Sequence, residues 1–205
     1  MYSKIQDLLE QAAAQAKSST AEVSSVSNAT RNCLTETEAE NVFQRLTQKL
    51  FHIEQWNAES NLSSFALFDE NGCAKTEKIV AVRDFVRITL PGSGKDDWVK
   101  IVEIFDAADE IVLTVQPSHN PTDEENEPTT SHFFTADSTN NFCLQKNGLK
   151  LNFYVIGLCE KSNTEDTSGI VETARNFATA NIGHFLGIQK AQWQHFCDNF
   201  VEIEN

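Results

Sequence analysis

The sequence predicts an α+β fold: helices, then seven or eight short strands in an antiparallel sheet, then helices. Three observations predict it. Apolar residues recur at helical spacing near both ends of the chain, while from Ser63 to Leu158 the period falls to two. Two Asn-Gly dipeptides, Asn71-Gly72 and Asn147-Gly148, sit among the alternating segments, and this pair tolerates the positive φ angles of a tight hairpin turn. Helices and strands in separate runs imply an antiparallel sheet rather than the parallel sheet of an alternating α/β chain. Such a sheet is expected to curl, or to close into a small barrel, with the C-terminal helices packed on it.

The expected division is an N-terminal helix and Ser-rich arm over residues 1–34 and a single α+β domain over 35–205. Ile5, Leu8, Leu9, Ala12, Ala13 and Ala16 form a narrow stripe on a helix over 3–16, too little apolar surface to fold alone. The segment 17–30, KSSTAEVSSVSNAT, reads as a Ser/Thr-rich linker or extended arm. At Thr35 the series Thr-Glu-Thr-Glu places Thr35 and Glu38 as a capping box. Ala39, Val42, Phe43, Leu46 and Leu50 then share one helical face, and the helix is expected to end around 52–56.

Strands follow at 84–90, 97–105 and 110–116, an expected antiparallel meander, then at 131–135, 141–146 and 149–158. The loop 117–131 holds three of the four prolines and the acidic run 122–127, which excludes it from a central strand. Ser168 is a plausible N-cap for a helix carrying Ile170, Ala174, Phe177 and Phe185 as far as Gly187. A shorter helix over 189–200 adds Trp193, Phe196, Cys197 and Phe200.

Thirty acidic residues against sixteen basic ones leave a net charge of −14. Binding to nucleic acid or to an anionic membrane needs Lys and Arg to displace counterions, so neither partner is expected. Mimicry of nucleic acid would want long acidic ladders, and the one tight acidic run lies in a loop. The N-terminal stretch is polar and amphipathic, and no apolar run approaches the length of a membrane span, so a cytoplasmic location is expected. Five cysteines at wide spacing include no Cys-x-x-Cys, so neither a zinc knuckle nor a dithiol motif is expected. Nothing else calls for a cofactor.

Catalytic motifs fail on their own residues. Gly94-Lys95 resembles the end of a phosphate-binding loop, but Thr89 stands where that loop needs a glycine and Asp96 where it needs a hydroxyl. The segment also runs from strand to strand, whereas a phosphate loop opens a helix. It reads instead as a hairpin connection whose tip exposes Lys95 and Asp97, with Trp98 fixing the hairpin to the body. Ser93 lacks the nucleophile-elbow context. Cys159, by the parity of Phe153 and Val155, and Cys197, between Phe196 and Phe200, read as small core residues. Cys143 takes the opposite parity to Phe142 and Leu144, toward the surface or a second packed face. His132, at the start of a strand, is the remaining candidate for acid–base chemistry at a pocket rim, although a half-buried, hydrogen-bonded sheet histidine is the favoured explanation. Arg175 either snorkels or pairs with an acid.

The leading expectation is a non-enzymatic protein–protein interaction or assembly module with a protein partner or a second copy, docking through the N-terminal helix and arm or the acidic loop; Lys95, Asp97, Trp98 and His132 are the candidate binding residues. The alternative is a small-molecule-binding or enzymatic β-barrel with a pocket near His132. The third is an acidic inhibitor mimicking nucleic acid.

Overall fold

The architecture was read from a computed structural model, which describes residues 2–18, 23–60, 63–76, 79–89, 96–122, 134–161 and 190–203. Helix α1 spans Lys4–Gln15, strand β1 Val23–Asn32 and helix α2 Glu36–Phe51. A turn of 3-10 helix, Ile53–Gln55, leads into the short helix α3, Trp56–Glu59. The capping box at the start of α2 forms as its residues predict. The Glu38 N–H donates to the Thr35 hydroxyl (3.1 Å), and the Glu38 carboxylate accepts from Leu34 N–H (2.8 Å).

Six strands follow: β2 Ser64–Phe68, β3 Phe85–Thr89, β4 Asp96–Ala107, β5 Glu110–Pro117, β6 Thr139–Asn147 and β7 Lys150–Glu160. Residues 190–200 form helix α4. The sheet has seven strands in the order β1-β7-β6-β5-β4-β3-β2, every pair antiparallel. It is not closed: β1 and β2 are its two edges, so the fold is the α+β arrangement without the barrel. Gly148 turns the β6–β7 hairpin at φ +60°, and Gly72 turns the chain after β2 at φ +77°.

The meander runs unbroken from β2 to β7. The departure from the sequence reading is β1. Residues 23–32 overlap the segment 17–30 read as a linker or arm, yet they pair with β7 from Val23↔Glu160 to Asn32↔Lys150. Their pattern is too polar to announce a strand: the inward positions are the small residues Ser27 and Ala29, with Cys33 just beyond. They are a strand because β7 offers them a hydrogen-bonding edge.

The inner face of the sheet carries α2, α3 and α4. Its core is aromatic. Trp56 packs against Phe142 (centroids 4.5 Å), Phe65 and Phe196 (both 5.6 Å), and Phe153 stacks on Phe200 at 3.9 Å. The outer face carries α1, whose Ile5, Leu8 and Ala12 bury against Val112, Cys143, Ile156 and Leu158. The stripe too narrow to fold alone is thus satisfied within the same chain. Cys143 belongs to this second packed face, where burial pushes its thiol pKa up; burial likewise pushes the Cys197 thiol up to about 12.

Both sheet edges are tied off by a side-chain amide acting as a short piece of strand. On β2, Phe65 N–H donates to Asn57 Oδ1 (2.6 Å) and Asn57 Nδ2 donates to the Phe65 carbonyl (3.1 Å). Beyond it, Lys75 N–H donates to the Leu67 carbonyl (3.0 Å). On β1, Asn28 N–H donates to Gln194 Oε1 (3.4 Å) and Gln194 Nε2 donates to the Asn28 carbonyl (2.8 Å). Edge groups bonded in this way cannot template another chain.

Candidate functional site: a buried carboxylate at the end of β7

The expected site residues do not come together. Lys95 and His132 lie outside the described residues, as do the Gly92–Gly94 turn, the helix expected from Ser168 to Gly187, Arg175, residues 131–133 of the strand expected at 131–135, and most of the acidic run 122–127. Asp97 was expected exposed at a loop tip. It is instead 8 % exposed, inside β4 and paired with Ile88, because β4 begins at Asp96. Trp98 is buried and packs edge-on against Phe68 at 5.0 Å. Asp97 and Trp98 are successive strand residues, so they point to opposite faces and share no surface. Cys159 also departs from its expected parity: it is half-buried and packs toward the outer cluster.

The reason for that departure creates the site. Ser25 on β1 pairs with Gly157 on β7, but Val23, two residues earlier, pairs with Glu160, three residues later. The extra residue in β7 is a β-bulge. Cys159 carries it with φ +53°, a left-handed conformation that a residue with a side chain seldom adopts. Gln15, at the end of α1, grips the bulge from the outer face. Cys159 N–H donates to Gln15 Oε1 (3.0 Å), and Gln15 Nε2 donates to Cys159 Sγ (3.1 Å).

Strict alternation would send Glu160 to the outer face with Ile156 and Leu158. The bulge returns it to the inner face. There its carboxylate lies directly over Gly157: a Cβ built on that glycine would stand 2.2 Å from Glu160 Oε1 and 2.5 Å from Ser25 Oγ. Gly157 is also the cross-strand partner of Asn140, and Asn140 of Val115. One row of the inner face therefore reads Ser25, Gly157, Asn140, Val115, with Glu160 laid across its polar end.

Glu160 is 2 % exposed and Asn140 6 % exposed. Neither carboxylate oxygen, nor Asn140 Oδ1, has a hydrogen-bond partner of full geometry among the described residues; the Ser25 hydroxyl lies on the same side of Gly157 and acts on the carboxylate's pKa as a hydrogen bond would. Burial pushes the Glu160 pKa from its ordinary 4.5 to about 7, and the Ser25 hydroxyl pulls weakly the other way. The neighbouring positions on β1, β6 and β7 (Ser25, Ser27, Asn140, Gly157) carry no charge. Buried charge without a partner is costly, and perturbed carboxylates concentrate where ligands bind.

Sequence reasoning missed Glu160 because it sits one residue beyond the last alternating strand position, and a bulge leaves no mark in hydropathy. The one sequence sign is Gly157 inside an otherwise apolar strand, where glycine often marks close approach by another group. Among the described residues no cluster of three or more His, Cys, Asp or Glu is placed to hold a metal ion, and no helix is long and apolar enough to cross a membrane.

Comparison with known proteins gives fold without function. No protein-family profile matches the chain, and no curated protein matches it. Among solved structures, a hypothetical protein of Helicobacter pylori is similar over 88 % of this chain and 86 % of its own, at 9 % identity and a TM-score of 0.57. A Thermus thermophilus protein is similar over 86 % of this chain and 94 % of its own, at 11 % identity and a TM-score of 0.47. The first shows a shared fold; at such identities nothing about activity follows.

Proposed function

We propose that this chain is a non-enzymatic binding module that takes a small ligand on the inner face of its sheet, in the row Ser25–Gly157–Asn140 beneath Glu160. The observation that carries the reading is the Glu160 carboxylate, held inside by a purpose-built bulge and a missing Cβ, with no partner among the described residues. Convergent unsatisfied polar groups beside an apolar wall are the usual composition of a ligand site. The ionisable group of this site is Glu160; His132, around which a pocket was expected, lies outside the described residues.

An assembly role through the N-terminal helix draws less support. The apolar face of α1 is covered by the chain's own sheet, and Asn57 and Gln194 occupy edge groups that a partner strand would use. The test is amide-resolved NMR of the full chain titrated with a library of small metabolites. Ligands should shift the amides of Ser25, Asn140 and Gly157 together. A library that moves only exposed loop amides, or a partner protein that moves β1 and β2 edge amides instead, would count against the reading.

A further inference from the structure

We infer that the ligand at this row is a protonated amine, bound as the counter-ion of Glu160. The inference rests on the binding reading above and narrows it to a chemical class.

The atoms of this row left without partners are of one kind. Glu160 Oε1, Glu160 Oε2 and Asn140 Oδ1 are acceptors, all within residues less than a tenth exposed. An anion or an acceptor-only ligand would add like polarity to a row whose unpaired atoms are already acceptors. A neutral alcohol brings one donor and no charge. An ammonium group brings two or three donors and the positive charge that a buried carboxylate lacks, so it meets both deficits at once. The carboxylate fills the volume of the missing Gly157 side chain, which sets its oxygens low in the row between β1 and β6. The same row continues into Val115, so the head group is polar and the wall beside it apolar.

Proton linkage follows from the chemistry. The amine binds the ionised carboxylate, so affinity should fall about tenfold for each pH unit below the Glu160 pKa of about 7 and level off above it. A neutral ligand has no such slope.

The experiment titrates the full chain with n-butylammonium, n-butanol and butyrate, read by amide NMR and calorimetry at several pH values, for the parent chain and Glu160→Gln. The expected result is that butylammonium alone shifts Ser25, Gly157 and Asn140, with the stated pH slope, and that Glu160→Gln weakens it by about 30-fold or more. Because Glu160→Gln removes an uncompensated buried charge and keeps the side chain's shape, it should stay folded, and its spectrum checks this. If butanol or butyrate shifts the same amides and Glu160→Gln leaves that binding unchanged, the amine assignment is overturned while the inner-face binding reading survives. If none of the three moves the row and the metabolite library does not either, both are overturned.

Discussion

Gln194 and Asn28 close a ring of two hydrogen bonds, the amide of one helical side chain meeting both backbone groups of one edge-strand residue (3.4 and 2.8 Å). Asn57 does the same for Phe65 at the opposite edge. Each amide supplies one donor and one acceptor at the spacing of a neighbouring strand, and so ends the sheet without a further chain.

Gln194→Ala and Asn57→Ala should each lower the unfolding free energy by about 1–2 kcal/mol, the cost of leaving strand groups unpaired or merely hydrated. Urea denaturation measures this. Asn57→Asp keeps the acceptor for Phe65 N–H and loses the donor, so it should fall between. Freed edges should also self-associate, seen as concentration-dependent elution in size-exclusion chromatography. Unchanged stability in both alanine variants would mean the rings do not support the edges.

Stability should fall as pH rises through the Glu160 transition. The folded-state pKa of about 7 lies above the ordinary 4.5, so the folded chain holds the proton more tightly. That contribution is fully present below pH 4.5 and is lost progressively as pH rises to about 7, amounting to about 3 kcal/mol. Glu160→Gln should remove this slope and be the more stable chain at pH 8. Denaturant midpoints at pH 5, 6, 7 and 8 decide it; identical slopes in the two chains would contradict the burial of an uncompensated acid.

Gly157→Ala should destabilise by about 1–3 kcal/mol, because its Cβ would meet the Glu160 carboxylate at 2.2 Å. In a Glu160→Ala background the same change should cost much less, the remaining obstacle being Ser25 Oγ at 2.5 Å. The double-mutant cycle reads the contact directly, and additive effects would deny it.

Docking of α1 on the outer face should be measurable at Cys143, which is fully buried beneath it. Leu8→Ala should cost about 2–5 kcal/mol and make Cys143 reactive toward a thiol reagent, scored by peptide-level mass spectrometry. Gln15→Ala should cost about 1–2 kcal/mol through the two bonds it makes to Cys159. Cys143 remaining inert in Leu8→Ala would indicate that α1 contributes little to covering it.

The sequence determined the parts that depend on local period and local chemistry. The stripe Ala39–Leu50, the Thr35 cap, the Asn147-Gly148 turn and the strand segments β3 to β7 each follow from residues close in the chain, and each lies where its pattern points. Three things were decided only by tertiary structure. Strand β1 exists because β7, more than a hundred residues later, offers it an edge. Cys143 faces a buried layer because α1 returns to cover that side. Glu160 reaches the inner face because one extra residue at Cys159, held by Gln15 from another element, reverses the alternation. In each case the deciding contact joins residues distant in sequence, so composition and periodicity alone do not decide it.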